Sequence, residues 1–158
     1  MKTSKELKAF VDSRHLNAAQ FLINFSEKKF DFATSLFRAG EFARFALICE
    51  RVEISVDNRT IIQFFDLFKP TLMVYTNKRL ILTYFTVPKK APKYETIDLN
   101  YEDNAEQDWD IVECKAGELR EIIIRFDDGI EIKIAVSSKK SKYVNAEIRK
   151  FLNEVYKI

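Results

Sequence analysis

The sequence contains little of what catalysis, metal binding and phosphate binding require. Among its 158 residues there are one histidine, two cysteines and three glycines. A histidine-based triad or metal site would have to be built around His15 alone. Neither a G-x-G-x-x-G nor a G-x-x-x-x-G-K-[ST] loop occurs. We therefore expect a chain that is not an enzyme and that carries no cofactor or metal ion.

Long apolar runs and an excess of one charge are also missing. No window approaches the roughly 18 uninterrupted apolar residues of a membrane span. The formal net charge is only +2, which argues against nucleic acid as a partner. The segment from Met1 to Glu6 leads into a charged helical pattern and not into the apolar core of a signal peptide. Cys49 and Cys114 are too few for a disulfide framework, so we expect two buried, reduced thiols in a cytoplasmic protein.

The hydrophobic period of the chain changes near Gly40. Before that point apolar residues recur at helical spacing, which predicts helices over much of residues 1–40. Beyond it the period is two, and this alternation predicts strands near 44–56, 61–65, 71–76, 79–86, 94–99, 109–114, 119–126 and 130–136. An amphipathic helix from about Ser141 to Lys157 follows the last strand.

One hairpin carries a family resemblance. The segment Pro70 to Thr83, PTLMVYTNKRLILT, resembles the central hairpin of bacterial pleckstrin-homology-like domains, which are related to the GRAM group. Gly40-Glu41 ahead of an apolar run resembles the start of that family's first strand, and the terminal helix after a final hairpin also fits. The resemblance covers about residues 41–157. It implies a bent antiparallel barrel of seven strands and a binding role without catalysis.

We therefore predict an α+β protein with a pleckstrin-homology-like antiparallel β-barrel of seven or eight strands. A C-terminal helix caps the barrel, and an N-terminal helical segment precedes it. Residues 1–40 form a helical leader packed on or extending from the barrel, and residues 41–158 form the barrel with its closing helix. The leader, the extra strand-like piece at 61–65 and a long acidic loop depart from the family's pattern.

The leader is rich in phenylalanine, with eight of the 14 phenylalanines in the first 45 residues. A small barrel already closed by a helix needs no second cover, and leftover aromatic surface marks an interface. Packing within the chain explains these residues equally well. The single tryptophan lies in an acidic stretch and is a possible anchor for a basic partner. The candidate interface residues are Phe21, Phe25, Phe32, Phe37 and Trp109.

Two lysine clusters support a different hypothesis. Clustered lysines bind anionic lipid, although solvated loops explain them more simply. The candidate lipid contacts are Lys89, Lys90, Lys93, Lys139, Lys140 and Lys142. The sequence thus leads to a cytoplasmic, non-catalytic binding module that contacts a partner protein or a second copy of itself. The alternative is a peripheral membrane module that contacts anionic lipid through these lysines.

Overall fold

The structure is a computed structural model of the chain. It describes residues 1–14, 27–49, 51–65, 71–84, 93–98, 108–113, 119–125, 129–135, 146–147, 149–150 and 153. The helices with assigned bounds in these residues are α1 (Ser4–Ser13) and α2 (Glu27–Ser35). The strands are β1 (Ala43–Cys49), β2 (Arg51–Val56), β3 (Arg59–Phe65), β4 (Thr71–Thr76), β5 (Arg79–Tyr84), β6 (Lys93–Asp98), β7 (Asp108–Glu113), β8 (Leu119–Arg125) and β9 (Ile130–Ala135).

Helix α1 begins with a capping box. The Thr3 hydroxyl accepts a hydrogen bond from the backbone N–H of Glu6 at 3.3 Å, and the Glu6 carboxylate accepts one from the backbone N–H of Thr3 at 3.0 Å. Leu7 and Val11 follow at a spacing of four residues, and both are fully buried. Since side chains four residues apart share one face of a helix, that face of α1 packs into the protein.

The strands form two antiparallel sheets. The first has four strands in the order β1-β4-β5-β6, and the second has five in the order β3-β2-β9-β8-β7. Strand β1 ends at Cys49 and β2 begins at Arg51, so the chain passes from one sheet to the other within two residues. The strands predicted near 119–126 and 130–136 are confirmed and form the antiparallel pair β8–β9.

The prediction of a closed barrel is wrong. Every strand pairing in the described residues lies within one sheet or the other, and none joins the end strand β6 to β3 or β7. The described strands number nine and form two sheets, where seven or eight strands in one pleckstrin-homology-like barrel were expected. The alternation of apolar and polar residues predicts where strands lie, but which strands pair depends on contacts between residues that are far apart in the sequence. The predicted strand 44–56 divides between both sheets for this reason.

Both helices and both sheets contribute to one hydrophobic core. Strand β4 is buried along its whole length, from 71 to 76, so both of its faces are covered. Phe30 and Ala33 of α2 belong to the same buried cluster as Ile132 of the second sheet. Cys49 is a buried, free cysteine, as predicted for this residue, and Cys114 lies outside the described residues. The helical segment therefore packs into the core, while its division from the rest at residue 40 stays a prediction.

The described part of the predicted closing helix is helical. These positions are Ala146, Glu147, Arg149, Lys150 and Asn153. Glu147 accepts a hydrogen bond from Arg14 Nε at 3.1 Å, and the Arg14 guanidinium lies 4.1 Å from the centre of the Phe10 ring. This contact brings the closing helix beside the end of α1.

Candidate functional site

The candidate site lies at β6, the last strand of the four-stranded sheet in the residues that the structure describes. Tyr94 is 49% exposed, and Lys93 beside it is also exposed. The ring of Phe32, in α2, lies edge-on to the Tyr94 ring, with 6.2 Å between the ring centres. We call Phe32, Lys93 and Tyr94 the aromatic edge. The aromatic pair and the phenol hydroxyl lie on one face of the strand, and Lys93, the residue before Tyr94, is directed to the opposite face.

The sequence of α2 explains why Phe32 reaches the surface. Phe30 and Ala33, three residues apart, lie on the same side of the helix and are buried. Phe32 lies between them in sequence and is therefore turned to the flank of that buried side. It is half-buried and contacts Tyr94. The helix thus uses one aromatic residue for the core and a second for the aromatic edge.

A buried polar cluster joins the end of α2 to the β4–β5 turn. We call it the junction, and it consists of the buried side chains of Glu41, Thr76 and Arg79 with the backbone N–H of Arg38 and the carbonyl oxygen of Leu36. Arg79 binds both carboxylate oxygens of Glu41, with Nε to Oε1 at 2.9 Å and Nη2 to Oε2 at 3.1 Å. Arg79 Nη2 also donates to the carbonyl oxygen of Leu36. The side chains of Arg79 and Glu41 are 6% and 0% exposed, so this ion pair is nearly sealed from water.

Further hydrogen bonds complete the coordination of the Glu41 carboxylate and stabilise the β4–β5 turn. Oε2 of Glu41 accepts from the backbone N–H of Arg38 at 2.7 Å, and Oε1 accepts from the Thr76 hydroxyl at 2.7 Å. That hydroxyl accepts in turn from the backbone N–H groups of Lys78 at 3.1 Å and Arg79 at 2.9 Å. The Glu41 carboxylate thus accepts four hydrogen bonds, two of them from the Arg79 guanidinium. Because these bonds and the ion pair offset the cost of burying a charge, the carboxylate stays ionised.

The pKa of Glu41 reflects the balance between the burial of its carboxyl group and the hydrogen bonds that this group accepts. Burial opposes ionisation and by itself raises the pKa of the carboxyl group. The hydrogen bonds from Arg79, Arg38 and Thr76, together with the positive charge of Arg79, outweigh burial and hold the pKa below its ordinary value. Glu41 is therefore an ionised structural group. Because its oxygens are already occupied by donors, it is not placed to take a proton from a substrate.

An outer layer of hydrogen bonds reinforces the junction. The side chain of Asn77 donates to the carbonyl oxygen of Gly40 at 3.2 Å and accepts from the backbone N–H of Phe42 at 3.0 Å. Lys78 Nζ donates to the carbonyl oxygen of Ala39 at 2.6 Å. Gly40 has φ of +72°, a conformation that glycine adopts without a steric penalty. The connection from α2 to β1 is thus fixed to the β4–β5 turn.

The junction positions the aromatic edge. Arg79 holds the end of α2 through Leu36, and Arg79 begins β5, which pairs along its length with β6. In that pairing Thr83 lies opposite Tyr94. The helix that carries Phe32 and the strand pair that carries Tyr94 are therefore anchored at one buried ion pair. Sequence reasoning placed Arg79 within the hairpin Pro70–Thr83, and it missed the partnership of Arg79 with Glu41.

The predicted protein-interface residues are only partly brought together. Phe32 lies in the aromatic edge, whereas Phe37 is half-buried and packs against the core. Phe21 and Phe25 lie outside the described residues. The backbone of Trp109 lies in β7 opposite Ile124, and its side chain is outside what the structure describes. The signal that was missed is Tyr94, an exposed aromatic residue in an end strand.

Of the predicted lipid contacts, the structure describes Lys93, which is exposed at the start of β6. The other five lie outside the described residues: Lys89, Lys90, Lys139, Lys140 and Lys142. A shallow depression of ≈ 270 Å³ elsewhere is lined by Lys5, Lys8, Ala9 and Asp12 of α1. Lys8 and Asp12 pair with each other there, so little unbalanced charge remains for an anion.

The described residues contain neither a metal-binding cluster nor a membrane-spanning helix. They hold no group of three or more histidine, cysteine, aspartate or glutamate residues that could bind a metal ion. His15 lies outside them. Within the same part of the chain, every helix is too short or too polar to cross a bilayer.

Comparisons with known proteins give the chain a structural neighbour and no family. No protein-family model matches it, and no curated protein matches it. Among solved structures it is similar to the C-terminal domain of an unknown protein from Leishmania infantum, with a TM-score of 0.40 and 11% sequence identity. The match covers 72% of this chain and 87% of that one. The resemblance to pleckstrin-homology-like domains stays a prediction from the sequence.

Proposed function

We propose that this chain is a non-catalytic binding module that engages a protein partner in the cytoplasm through the aromatic edge. The observation that carries the proposal is the Phe32–Tyr94 ring contact, with Tyr94 49% exposed. Tyrosine combines a large apolar ring with a polar hydroxyl, which suits a surface that alternates between water and a partner. The proposal includes no cofactor and no nucleic acid.

The junction supports a binding role in preference to chemistry. Its ionised groups satisfy each other, and it anchors the two elements that present the aromatic edge. A surface held in one conformation loses little side-chain and loop freedom on binding, so more of its contact energy appears as affinity. The Glu41 oxygens are occupied by donors from the same chain, so this ion pair serves to position the surface.

Site-specific photocrosslinking tests the proposal. A photoreactive phenylalanine analogue replaces Tyr94 in the full chain, and the matched control places it at Arg59, an exposed position of β3 in the other sheet. We expect protein adducts from position 94 and few from position 59. Equal adduct yields from the two positions would contradict the assignment of the aromatic edge as the binding surface.

The alternative is binding to an anionic membrane, and the exposed Lys93 beside Tyr94 is the observation that favours it. Sedimentation with phosphatidylserine vesicles and with neutral phosphatidylcholine vesicles separates the two functions. The protein-binding proposal expects no pelleting with either lipid. Pelleting with the anionic vesicles alone, weakened by salt and lost in Lys93→Glu, would replace it with the membrane function, because lysine–lipid attraction is screened by salt.

A further inference from the structure

The strand β6 suggests which protein binds the aromatic edge. Among the described strands β6 pairs with β5 alone, so its other side ends the sheet. A strand in that position has backbone N–H and C=O groups that can pair with a strand of another chain. We infer that the partner is a second copy of this chain, joined by antiparallel pairing of the two β6 strands about a two-fold axis at Tyr94. This inference rests on the proposed function.

Symmetry restricts how two identical antiparallel strands can pair. The two-fold axis is perpendicular to the sheet, so each residue lies opposite a residue of the same face, which means one an even number of positions away. With the axis at Tyr94, Tyr94 lies opposite Tyr94 of the second copy. Lys93 of each copy then lies opposite Glu95 of the other. The pairing therefore contains two opposite-charge pairs around an aromatic pair.

The neighbouring registers match less well. An axis at Glu95 places two carboxylates directly opposite each other, and like charges in that position are destabilising. An axis at Thr96 places Tyr94 opposite Asp98 and Glu95 opposite an isoleucine, so neither charge gains a partner. Of the registers centred on Tyr94, Glu95 and Thr96, the one centred on Tyr94 pairs opposite charges, and the described residues that it places opposite each other are Lys93–Glu95.

This register is also compatible with the presence of Lys93 in the end strand β6. A lysine there normally opposes the addition of another strand, because its charge would be placed against the incoming chain. In the pairing centred on Tyr94, Glu95 of the second copy neutralises Lys93. Each Phe32 stays against its own Tyr94 and enlarges the apolar contact on both sides of the axis.

Disulfide trapping tests the register. Two copies of the Tyr94→Cys variant should crosslink under mild oxidation, because directly opposite residues have Cα atoms about 4.5–5.5 Å apart, within the range that a disulfide spans. The matched control is Thr96→Cys, whose two copies would lie about 13 Å apart along the strands. Wild-type protein controls for Cys49 and Cys114. Crosslinking of Thr96→Cys in place of Tyr94→Cys, or of neither variant, would overturn the inference.

A charge-swap series supplies an independent readout. Lys93→Glu or Glu95→Lys turns both opposite-charge pairs into like-charge pairs, and each should weaken dimerisation roughly tenfold in sedimentation equilibrium. The double variant Lys93→Glu/Glu95→Lys restores both pairs and should dimerise like the wild type. Equal weakening in the single and double variants would contradict the pairing.

The outcomes separate this inference from the proposed function. If position 94 crosslinks to a different protein while the purified chain stays monomeric, the function stands and the self-association is refuted. If adducts from position 94 have twice the mass of the chain, both stand. If no protein adduct forms from position 94, both fail.

Discussion

Replacement of Arg79 by methionine should strongly destabilise the fold. Methionine keeps much of the apolar stem but removes the guanidinium that neutralises Glu41. The Glu41 side chain has 0% exposure, so water cannot replace the lost partner. Removing one partner of a buried ion pair costs about 3–5 kcal/mol, a large part of the roughly 5–15 kcal/mol that stabilises a domain. The carbonyl oxygen of Leu36 also loses its donor.

Urea titration measures this loss, with the fluorescence of Trp109 and circular dichroism as separate probes. For a slope of about 2 kcal/mol per molar urea, the midpoint should fall by roughly 2 M. The matched control is Arg125→Met, because Arg125 pairs with Glu131 at 3.1 Å while its side chain is 42% exposed. An exposed pair contributes about 0–1 kcal/mol, so the control should change the midpoint little.

Two results would refute this reasoning. One is an equal loss of stability in Arg79→Met and Arg125→Met, since that would mean that burial of the Glu41–Arg79 pair is unimportant. The other concerns the double variant Glu41→Leu/Arg79→Met, which leaves no buried charge and should be more stable than Arg79→Met alone. A double variant that is less stable than Arg79→Met would show that the unpaired carboxylate is not the main cost.

Three further changes test the fold. The folded-state pKa of Glu41 lies below its ordinary value of 4.5. The contribution of the ionised carboxylate to stability is therefore present above about pH 4.5 and is lost as the pH falls through the folded-state pKa. Glu41→Gln removes this ionisation, so the free energy of unfolding measured by urea titration should depend less on pH in the acid range. Gly129→Ala should cost about 1–2 kcal/mol, because Gly129 has φ of +80° and an added Cβ would lie 2.4 Å from Asp57 Oδ1; thermal melting measures this loss. Deletion of residues 1–38 removes four fully or almost fully buried core side chains and the Leu36 carbonyl, so calorimetry should show no cooperative transition; a cooperative transition like that of the full chain would contradict the packing.

Local pattern predicted the elements better than their arrangement. The alternation around Gly129 identified β8 and β9, and their hairpin follows because the turn residues fix which strands meet. The segment 44–56 alternates throughout, yet β1 pairs with β4 while β2 pairs with β3 and β9. The local hydrophobic period does not indicate the residue at which the chain passes from one sheet to the other. The barrel expectation failed at that point.

The candidate site was predictable in part. Phe32 was selected from the aromatic content of the leader, and Lys93 from a lysine cluster. Tyr94 received no role because exposure of an end strand depends on sheet order, which the sequence does not state. The Glu41–Arg79 pair had a usable signal: both charges stand beside apolar runs, and charged residues in such positions are almost never buried unless paired. Their separation of 38 positions concealed which charge pairs with which.

Amide hydrogen exchange along β6 tests the central claim most directly. The purified chain is compared at low and high concentration, with β3, an end strand of the other sheet, as the internal control. If two copies pair through β6 about Tyr94, exchange of the amides within Lys93–Glu95 that do not bond to β5 should slow as the concentration rises, while exchange in Arg59–Phe65 stays constant. Exchange in β6 that does not depend on concentration, in a sample that light scattering shows to be dimeric, would contradict the claim.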